Sequence, residues 1–205
     1  MDVESLFTNV PIDDTIEIIC KEVYHTDGKK LTIPEETLRT LLRTCTKEAA
    51  FYGPDGKMYV QCDGVAMGSP LGVLFANFYM GAVEEKVFAK NPDIKPTVYA
   101  RYIDDIFINA NTEEEVLHLI ENFKKHSCLN YTHELEEENK LPFLDVMVHR
   151  SSSCFSTSVY VKSTNLGFCL NGKSDCPENI DTASSMPLSG GLSHTHPHGM
   201  QSTLN

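Results

Sequence analysis

The chain has 205 residues, a formal net charge of −12 and 41% hydrophobic residues. This length corresponds to one domain, and the apolar fraction is large enough to form a buried core, which excludes wholesale disorder. The acidic balance argues against a protein that grips nucleic acid through a basic surface of its own, because phosphate neutralisation needs clustered Lys and Arg.

The first third of the chain predicts a short strand, two helices and a hairpin. Residues 3–7 form an apolar run typical of a strand. Two segments with apolar residues at helical spacing follow, and Thr32 and Glu35 form a capping box at the start of the second. Residues 54–56 (Pro-Asp-Gly) predict a hairpin turn. The residues at helical spacing are Ile16, Ile19, Cys20 and Val23, then Leu38, Leu41, Leu42 and Cys45.

A glycine-punctuated loop lies in the middle of the chain. Gly64 and Gly68 give this loop its backbone freedom, and Ser69 followed by Pro70 is a typical helix start. Apolar residues then continue to about residue 88. The pattern predicts a loop that leads into a mostly buried helix.

Two β-rich runs, residues 98–103 and 106–108, are separated only by Asp104 and Asp105. This spacing predicts a tight hairpin with two carboxylates at its tip. A second capping box, a helix and further strands follow. They are Thr112 with Glu115, the helix bearing Val116, Leu119, Ile120 and Phe123, and strands over residues 129–135, 141–149 and 155–162. Because the strands come as hairpins between helices, without a βαβ rhythm, we expect an α+β fold in which an antiparallel sheet carries helices on one face.

Three carboxylates are candidates for a metal site. Asp104 and Asp105 are adjacent like charges, which repel and raise one another's pKa unless a cation compensates. If the strand that begins at Asp2 lies beside the hairpin, three carboxylates converge, as hard divalent cations and two-metal phosphoryl chemistry require. The alternative interpretations are that Asp104 and Asp105 form an ordinary turn and that Asp2 is simply solvated.

Four sequence blocks, in this order along the chain, resemble the palm motifs of reverse transcriptases. Their amino-acid sequences are most similar to those of Penelope-like retroelements. The resemblance extends from residue 2 to about residue 177. The blocks are residues 2–11 (DVESLFTNVP), 64–71 (GVAMGSPL), 99–105 (YARYIDD) and 141–146 (LPFLDV).

The resemblance implies a palm core over residues 1–150 and a strand segment after the palm over residues 151–177. Residues 178–205 contain no Lys or Arg and no periodic apolar pattern, which indicates a disordered or out-of-frame tail. The family's fingers region precedes the Asp2 strand and its basic thumb follows the palm. We therefore expect a truncated fragment in which fingers and thumb are largely missing, and the acidic charge fits the loss of their basic residues.

The resemblance also assigns roles to single residues. Asp2, Asp104 and Asp105 would be the catalytic carboxylates and would bind two Mg²⁺ ions, with Mn²⁺ as the alternative ion. The substrate-binding residues would be Phe7 as the steric gate against a ribose 2′-hydroxyl, Tyr102 beneath the primer terminus, and Gly64, Gly68, Ser69 and Pro70 at the floor of the nucleotide and template pocket. Residues 141–146 resemble the primer grip, in which Asp145 is structural.

The function implied is that of an RNA-directed DNA polymerase, which binds an RNA template, a DNA primer and dNTPs. One alternative is a catalytically inactive retroelement remnant. A second alternative, a metal-dependent phosphohydrolase, also uses three carboxylates but leaves Phe7 and the Gly-Ser-Pro loop unexplained.

Compartment is predicted from the start of the chain, from hydropathy and from cysteine usage. Residues 1–4 are acidic where a signal peptide is basic, and no run is long and apolar enough to span a bilayer, so we expect no membrane partner. The seven cysteines include no C-x-x-C pair, as expected for reduced thiols inside a cell. The family resemblance adds the nucleus as the site of action.

Overall fold

The computed structural model describes residues 1–26, 31–48, 50–152 and 154–165. Residues 1–160 form one compact unit, and the described residues 161–165 lie outside it. The predicted tail and nearly half of the segment after the palm (residues 153 and 166–177) therefore lie outside the described residues, and the palm boundary at residue 150 stays a prediction.

Within the described ranges the chain alternates helices with short antiparallel strands. The helices are α1 (Leu6–Asn9), α2 (Ile12–Tyr24), α3 (Glu35–Lys47), α4 (Pro70–Lys90) and α5 (Glu113–His126), with a 3-10 turn over Pro92–Ile94. The strands are β1 (Asp2–Val3), β2 (Ala50–Tyr52), β3 (Met58–Val60), β4 (Val98–Tyr102), β5 (Asp105–Asn109), β6 (Tyr131–Thr132), β7 (Lys140–Phe143), β8 (Val146–Arg150) and β9 (Phe155–Val159). None of these helices combines the length and hydropathy that a bilayer crossing requires.

The strands form a four-stranded sheet in the order β4-β5-β1-β6, a β2-β3 hairpin and a three-stranded β7-β8-β9 sheet. All of their pairings are antiparallel. The four-stranded sheet contributes Val3, Ile106 and Tyr131 to the core, where they cluster with buried residues of α4 and α5. The predicted α+β class, an antiparallel sheet with helices packed on it, is confirmed.

Several local signals act as the sequence predicts. The hydroxyl of Ser69 accepts a hydrogen bond from the N–H of Leu71 at 3.3 Å, with Pro70 as the first residue of α4. The hydroxyl of Thr112 accepts from the N–H of Glu115 at 3.3 Å and so caps α5. These side chains satisfy N–H groups that have no partner inside the first helical turn.

The predicted strand over residues 3–7 is wrong beyond Val3, because residues 4 and 5 form a turn and residues 6–9 form the helical turn α1. Ser5 has a φ of 51°, which breaks the extended backbone. The side chains of Thr8 and Asn9 then donate to the carbonyl of Ser5 at 2.9 and 3.0 Å. This local bonding stabilises a turn where the apolar run alone predicts a strand.

The start and the buried face of α3 also differ from the prediction. Pro34 occupies the N-cap position and no side-chain cap forms, so the helix begins at Glu35. Leu42 and Thr46 are buried, whereas Leu41 and Cys45 are exposed. The buried face is thus narrower than the apolar spacing indicates.

The predicted strand over residues 141–149 is a hairpin of two strands, β7 and β8. Its turn contains Leu144, whose φ of 55° is left-handed and reverses the chain. Residues 129–135 contribute only the two-residue strand β6. The first of these errors arises because an apolar run does not reveal where a left-handed residue ends a strand.

Candidate active site

Asp2 lies directly opposite Asp105 in the four-stranded sheet. The N–H of Val3 donates to the carbonyl of Asp104 at 3.2 Å, and the N–H of Ile106 donates to the carbonyl of Met1 at 2.9 Å. These bonds flank the Asp2–Asp105 pair, which makes it a non-hydrogen-bonded pair, the type in which opposite Cα atoms approach to about 4.5 Å and side chains lie closest. The two carboxylates therefore project from one face of the sheet at short range.

The same face carries a row of four residues that crosses all four strands. Tyr102 lies opposite Asp105, and Thr132 lies opposite Asp2 on its other side. Directly opposite residues of antiparallel strands share a face, so Tyr102, Asp105, Asp2 and Thr132 form one continuous row. We call it the polar row. Neighbouring residues on these strands point into the core, which leaves the polar row as the open side of the sheet.

The hairpin tip is shifted by one residue from the prediction. Ile103 and Asp104 form the turn, while Asp105 is the first residue of β5 and pairs with Tyr102. Ile103 has a φ of 60°, an uncommon and costly conformation for a β-branched side chain. The turn places Asp104 directly before Asp105 in the chain, outside the polar row itself.

Electrostatics links the three carboxylates. Burial of its carboxyl raises the pKa of Asp2, and the charges of Asp105 and Asp104 raise that pKa further. Oxygen donors of like charge suit a hard divalent cation, which would relieve their repulsion. Within the described ranges, no three His, Cys, Asp or Glu side chains already form a cage for an ion. The donor chemistry thus fits Mg²⁺, while the role of Asp2, Asp104 and Asp105 as its ligands stays a prediction.

Phe7 and the glycine loop are brought together beside α4. The N–H of Val65 donates to the carbonyl of Phe7 at 2.7 Å. Gly64 has a φ of 68°, and a Cβ there would lie 2.5 Å from the carbonyl oxygen of Thr8. The ring of Phe7 lies 3.3 Å from the position that a Cβ on Gly72 would take. Only glycine permits this close approach of the loop to α1.

The rest of the predicted loop is more open. Gly68 has a φ of 84° and nothing within 4 Å of the place a Cβ would take. The N–H of Ser69 donates to the carbonyl of Ala66 at 3.1 Å, which fixes the entry into α4 at Pro70. The structure therefore places the predicted site residues in two groups, the carboxylates with Tyr102 and the loop with Phe7. The short β1–α1 segment joins them, since Phe7 follows Asp2 by five residues.

The hairpin of β7 and β8, which contains the predicted primer grip, contacts the strand that carries Asp105. The rings of Phe107 and Phe143 meet edge to face with their centroids 5.5 Å apart. Phe107 is two residues after Asp105 and therefore points to the same face of β5. This contact ties the hairpin to the side of the sheet that bears the carboxylates.

Sequence reasoning missed two residues of this region. Thr132 belongs to the polar row only because of the register between β1 and β6. A strand of two residues is too short for its register to be predicted from the sequence. Arg101 lies inside a motif block, but its contacts come from α4, far along the chain. Its position directly before Tyr102 and the two aspartates was the available signal.

Comparisons with known proteins show the family and the fold of the chain. Residues 1–138 match the family model of reverse transcriptase (RNA-dependent DNA polymerase). The structure of telomerase from Candida albicans, in complex with a TWJ fragment of telomeric RNA, is similar in fold, with a TM-score of 0.57 and 12% sequence identity. The match covers 80% of this chain and 32% of that chain, so the present chain spans about a third of the telomerase length. No curated protein matches the chain in sequence.

Proposed function

The chain belongs to the reverse transcriptase family, and from this premise we propose that it is the palm of an RNA-directed DNA polymerase from a Penelope-like retroelement. The proposed reaction extends a DNA primer by one nucleotide at a time on an RNA template, with dNTPs as substrates. The retroelement origin implies action on nuclear DNA. The competing proposal is a catalytically inactive retroelement remnant.

The observation that carries the proposal is the direct pairing of Asp2 with Asp105, with Asp104 in the adjoining turn. A sheet that places like charges opposite each other in a non-hydrogen-bonded pair loses stability unless a cation binds there. Burial raises the pKa of Asp2, and the charges of Asp105 and Asp104 raise that pKa further, so repulsion accounts for part of the shift.

In the proposed mechanism Asp2 and Asp104 are the essential ligands and Asp105 supports them. Two Mg²⁺ ions bound there would bring the primer 3′-hydroxyl towards the α-phosphate and stabilise the charge on the departing diphosphate. Tyr102 is 60% exposed and lies beside Asp105 in the polar row, where its ring can support the primer terminus. The carboxylates thereby hold the reacting groups at the open face of the sheet.

Phe7 and the glycine loop are the proposed nucleotide side of the site. The ring of Phe7 is held against Gly72 of α4, so it has little freedom to move away from a sugar bound next to it. A fixed ring at this place would crowd a ribose 2′-hydroxyl and favour deoxynucleotides. The open backbone at Gly68, before the cap at Ser69, leaves room for a template base.

Primer extension tests the proposal. The 205-residue chain, its Asp104→Asn variant and the matched Asp93→Asn variant are each given an end-labelled DNA primer on an RNA template, dNTPs and Mg²⁺. Asp93 is exposed in the 3-10 turn and serves as the control. We expect extension by wild type and Asp93→Asn and a loss of at least about 100-fold in Asp104→Asn. Equal extension by Asp104→Asn would contradict the proposal, and no extension by any folded variant would favour the inactive remnant.

A further inference from the structure

Arg101 precedes Asp104 by three residues, yet its side chain points away from the candidate carboxylates. It pairs in register with buried Ile106 and so faces α4, on the side of the sheet opposite to the polar row. Its side chain is 12% exposed, and the Glu84 side chain with which it pairs is 19% exposed. The Nε and Nη2 groups of Arg101 both donate to the Glu84 carboxylate, a bidentate contact that fixes the plane of the guanidinium.

The remaining nitrogen of this guanidinium reaches the turn. Nη1 of Arg101 donates to the carbonyl of Ile103 at 3.1 Å and to the Oδ1 of Asn77 at 2.8 Å. Ile103 is the left-handed residue of the turn, with a φ of 60°. A β-branched residue in this region is strained and persists only where its surroundings hold it. Arg101 thus bonds directly to the carbonyl of the strained residue.

We propose that Arg101 is a positioning residue that holds Ile103 in its left-handed conformation and thereby sets the placement of Asp104 and Asp105. The expected effect on metal binding rests on the proposed function, whereas the effect on the conformation of Ile103 does not. Glu84 and Asn77 of α4 orient the guanidinium, and the guanidinium holds the turn. Lys cannot replace it, because one ammonium group lacks the planar set of donors that spans three acceptors.

The competing interpretation is that Arg101 only attaches the sheet to α4. Tyr99 already provides such an attachment, since its hydroxyl donates to Glu84 at 2.7 Å from the same face of β4. If Arg101 served only to attach β4 to α4, its loss would lower the free energy of unfolding without changing the conformation of Ile103 in the folded protein. The two roles are therefore separable by reading the turn itself.

The test uses Arg101→Lys in the 205-residue chain, with two measurements on folded protein. The ¹³Cα and ¹³Cβ chemical shifts of Ile103 report its backbone conformation, and Mn²⁺ titration followed by electron paramagnetic resonance reports metal affinity. We expect the Ile103 shifts to leave left-handed values and the Mn²⁺ affinity to fall about tenfold, the usual size of an effect from a residue that orients metal ligands. Unchanged shifts and affinity in folded Arg101→Lys would overturn the proposal.

A second pair of variants separates strain from packing. Ile103→Asn places a residue that tolerates the left-handed region in the turn, whereas Ile103→Val keeps the β-branch. In the Arg101→Lys background, Ile103→Asn should restore much of the Mn²⁺ affinity and Ile103→Val should not; equal behaviour of the two would count against the proposal.

Two further outcomes are covered by the same design. If Arg101→Lys does not fold, Asn77→Ala is used instead, because it removes one acceptor of the guanidinium from an exposed position. The ¹³C shifts of Ile103 are then expected to change, and unchanged shifts would overturn the proposal. If wild type binds no Mn²⁺, the proposed function fails, while a change of the Ile103 shifts still supports the positioning role of Arg101.

Discussion

Asp2 and Asp105 are direct partners across an antiparallel pair, with flanking backbone hydrogen bonds from Val3 to Asp104 and from Ile106 to Met1. The pairing turns two carboxylates that are 103 positions apart in the chain into near neighbours on one face of the sheet. Asp104 lies in the adjoining turn. This relationship leads to predictions on stability, on substrate choice and on metal binding.

The first prediction concerns the stability of the metal-free protein. Asp2→Asn should raise the free energy of unfolding at pH 7 by about 0.5 kcal/mol, since the residue is exposed and such charge effects are small. The pKa of Asp2 is raised in the fold, so the folded state binds its proton more tightly than the unfolded state does. Stability should therefore fall as pH rises from the ordinary value of 3.8 through the higher folded value.

Urea unfolding in a chelator at pH 3.5, 5 and 7 measures this effect. The part of the pH dependence due to Asp2 should vanish in Asp2→Asn, and Asp93→Asn should leave it in place. Addition of Mg²⁺ should stabilise wild type more than Asp2→Asn. Destabilisation by Asp2→Asn in the chelator would show that repulsion among the carboxylates is not the governing effect.

The glycine loop gives the second prediction. Gly64→Ala should lower the free energy of unfolding by about 2–4 kcal/mol, because its Cβ would approach the Thr8 carbonyl oxygen to 2.5 Å and its φ is 68°. Gly56→Ala is the matched control, with a φ of 73° and open space around it. It should cost about 1 kcal/mol. Equal costs in denaturant unfolding would mean that the contact between loop and α1 does not constrain residue 64.

Phe7 supports the third prediction. Phe7→Ala should raise the incorporation of a ribonucleotide relative to its deoxynucleotide by about tenfold or more, because the ring that would crowd the 2′-hydroxyl is gone. Phe7→Tyr keeps the ring and should retain the discrimination. The ratio of kcat/KM values for the two nucleotides measures it. A ratio that does not change in Phe7→Ala would remove Phe7 from the sugar side of the site.

The core beneath the polar row provides the fourth prediction. Phe123 of α5 is fully buried, and its ring contacts those of Phe88, Tyr99 and Tyr131. Phe123→Ala should cost about 3–5 kcal/mol. Leu117→Ala, on the exposed side of the same helix, should cost less than about 1 kcal/mol. Similar losses in the two variants would contradict this packing of α5 on the sheet.

The starts of α4 and α5 could be predicted from the sequence, because Ser69 and Thr112 cap these helices through hydrogen bonds to N–H groups two or three residues away. The boundaries that were wrong depend on single left-handed residues, Ser5 and Leu144, whose conformation neither side chain demands. The residue type does not predict a left-handed backbone at these two positions, because the surrounding contacts select it. Apolar runs consequently predicted strands that the backbone interrupts.

The candidate site divides in the same way. The order of the motifs was enough to group Asp2 with Asp104 and Asp105, but their register was not, because β1 has only two residues. The one-residue shift that puts Asp105 into β5 depends on where pairing with Tyr102 begins. Thr132 and the contacts of Arg101 with α4 arise from long-range packing and have no local signature.

The measurement that tests the central claim most directly is Mn²⁺ titration of the 205-residue chain, read by electron paramagnetic resonance. The claim is that Asp2, Asp104 and Asp105 form one divalent-cation site. We expect wild type and Asp93→Asn to bind Mn²⁺ with equal affinity, and Asp2→Asn and Asp104→Asn each to weaken binding at least about tenfold. Equal Mn²⁺ affinity in wild type, Asp2→Asn and Asp104→Asn would contradict the claim.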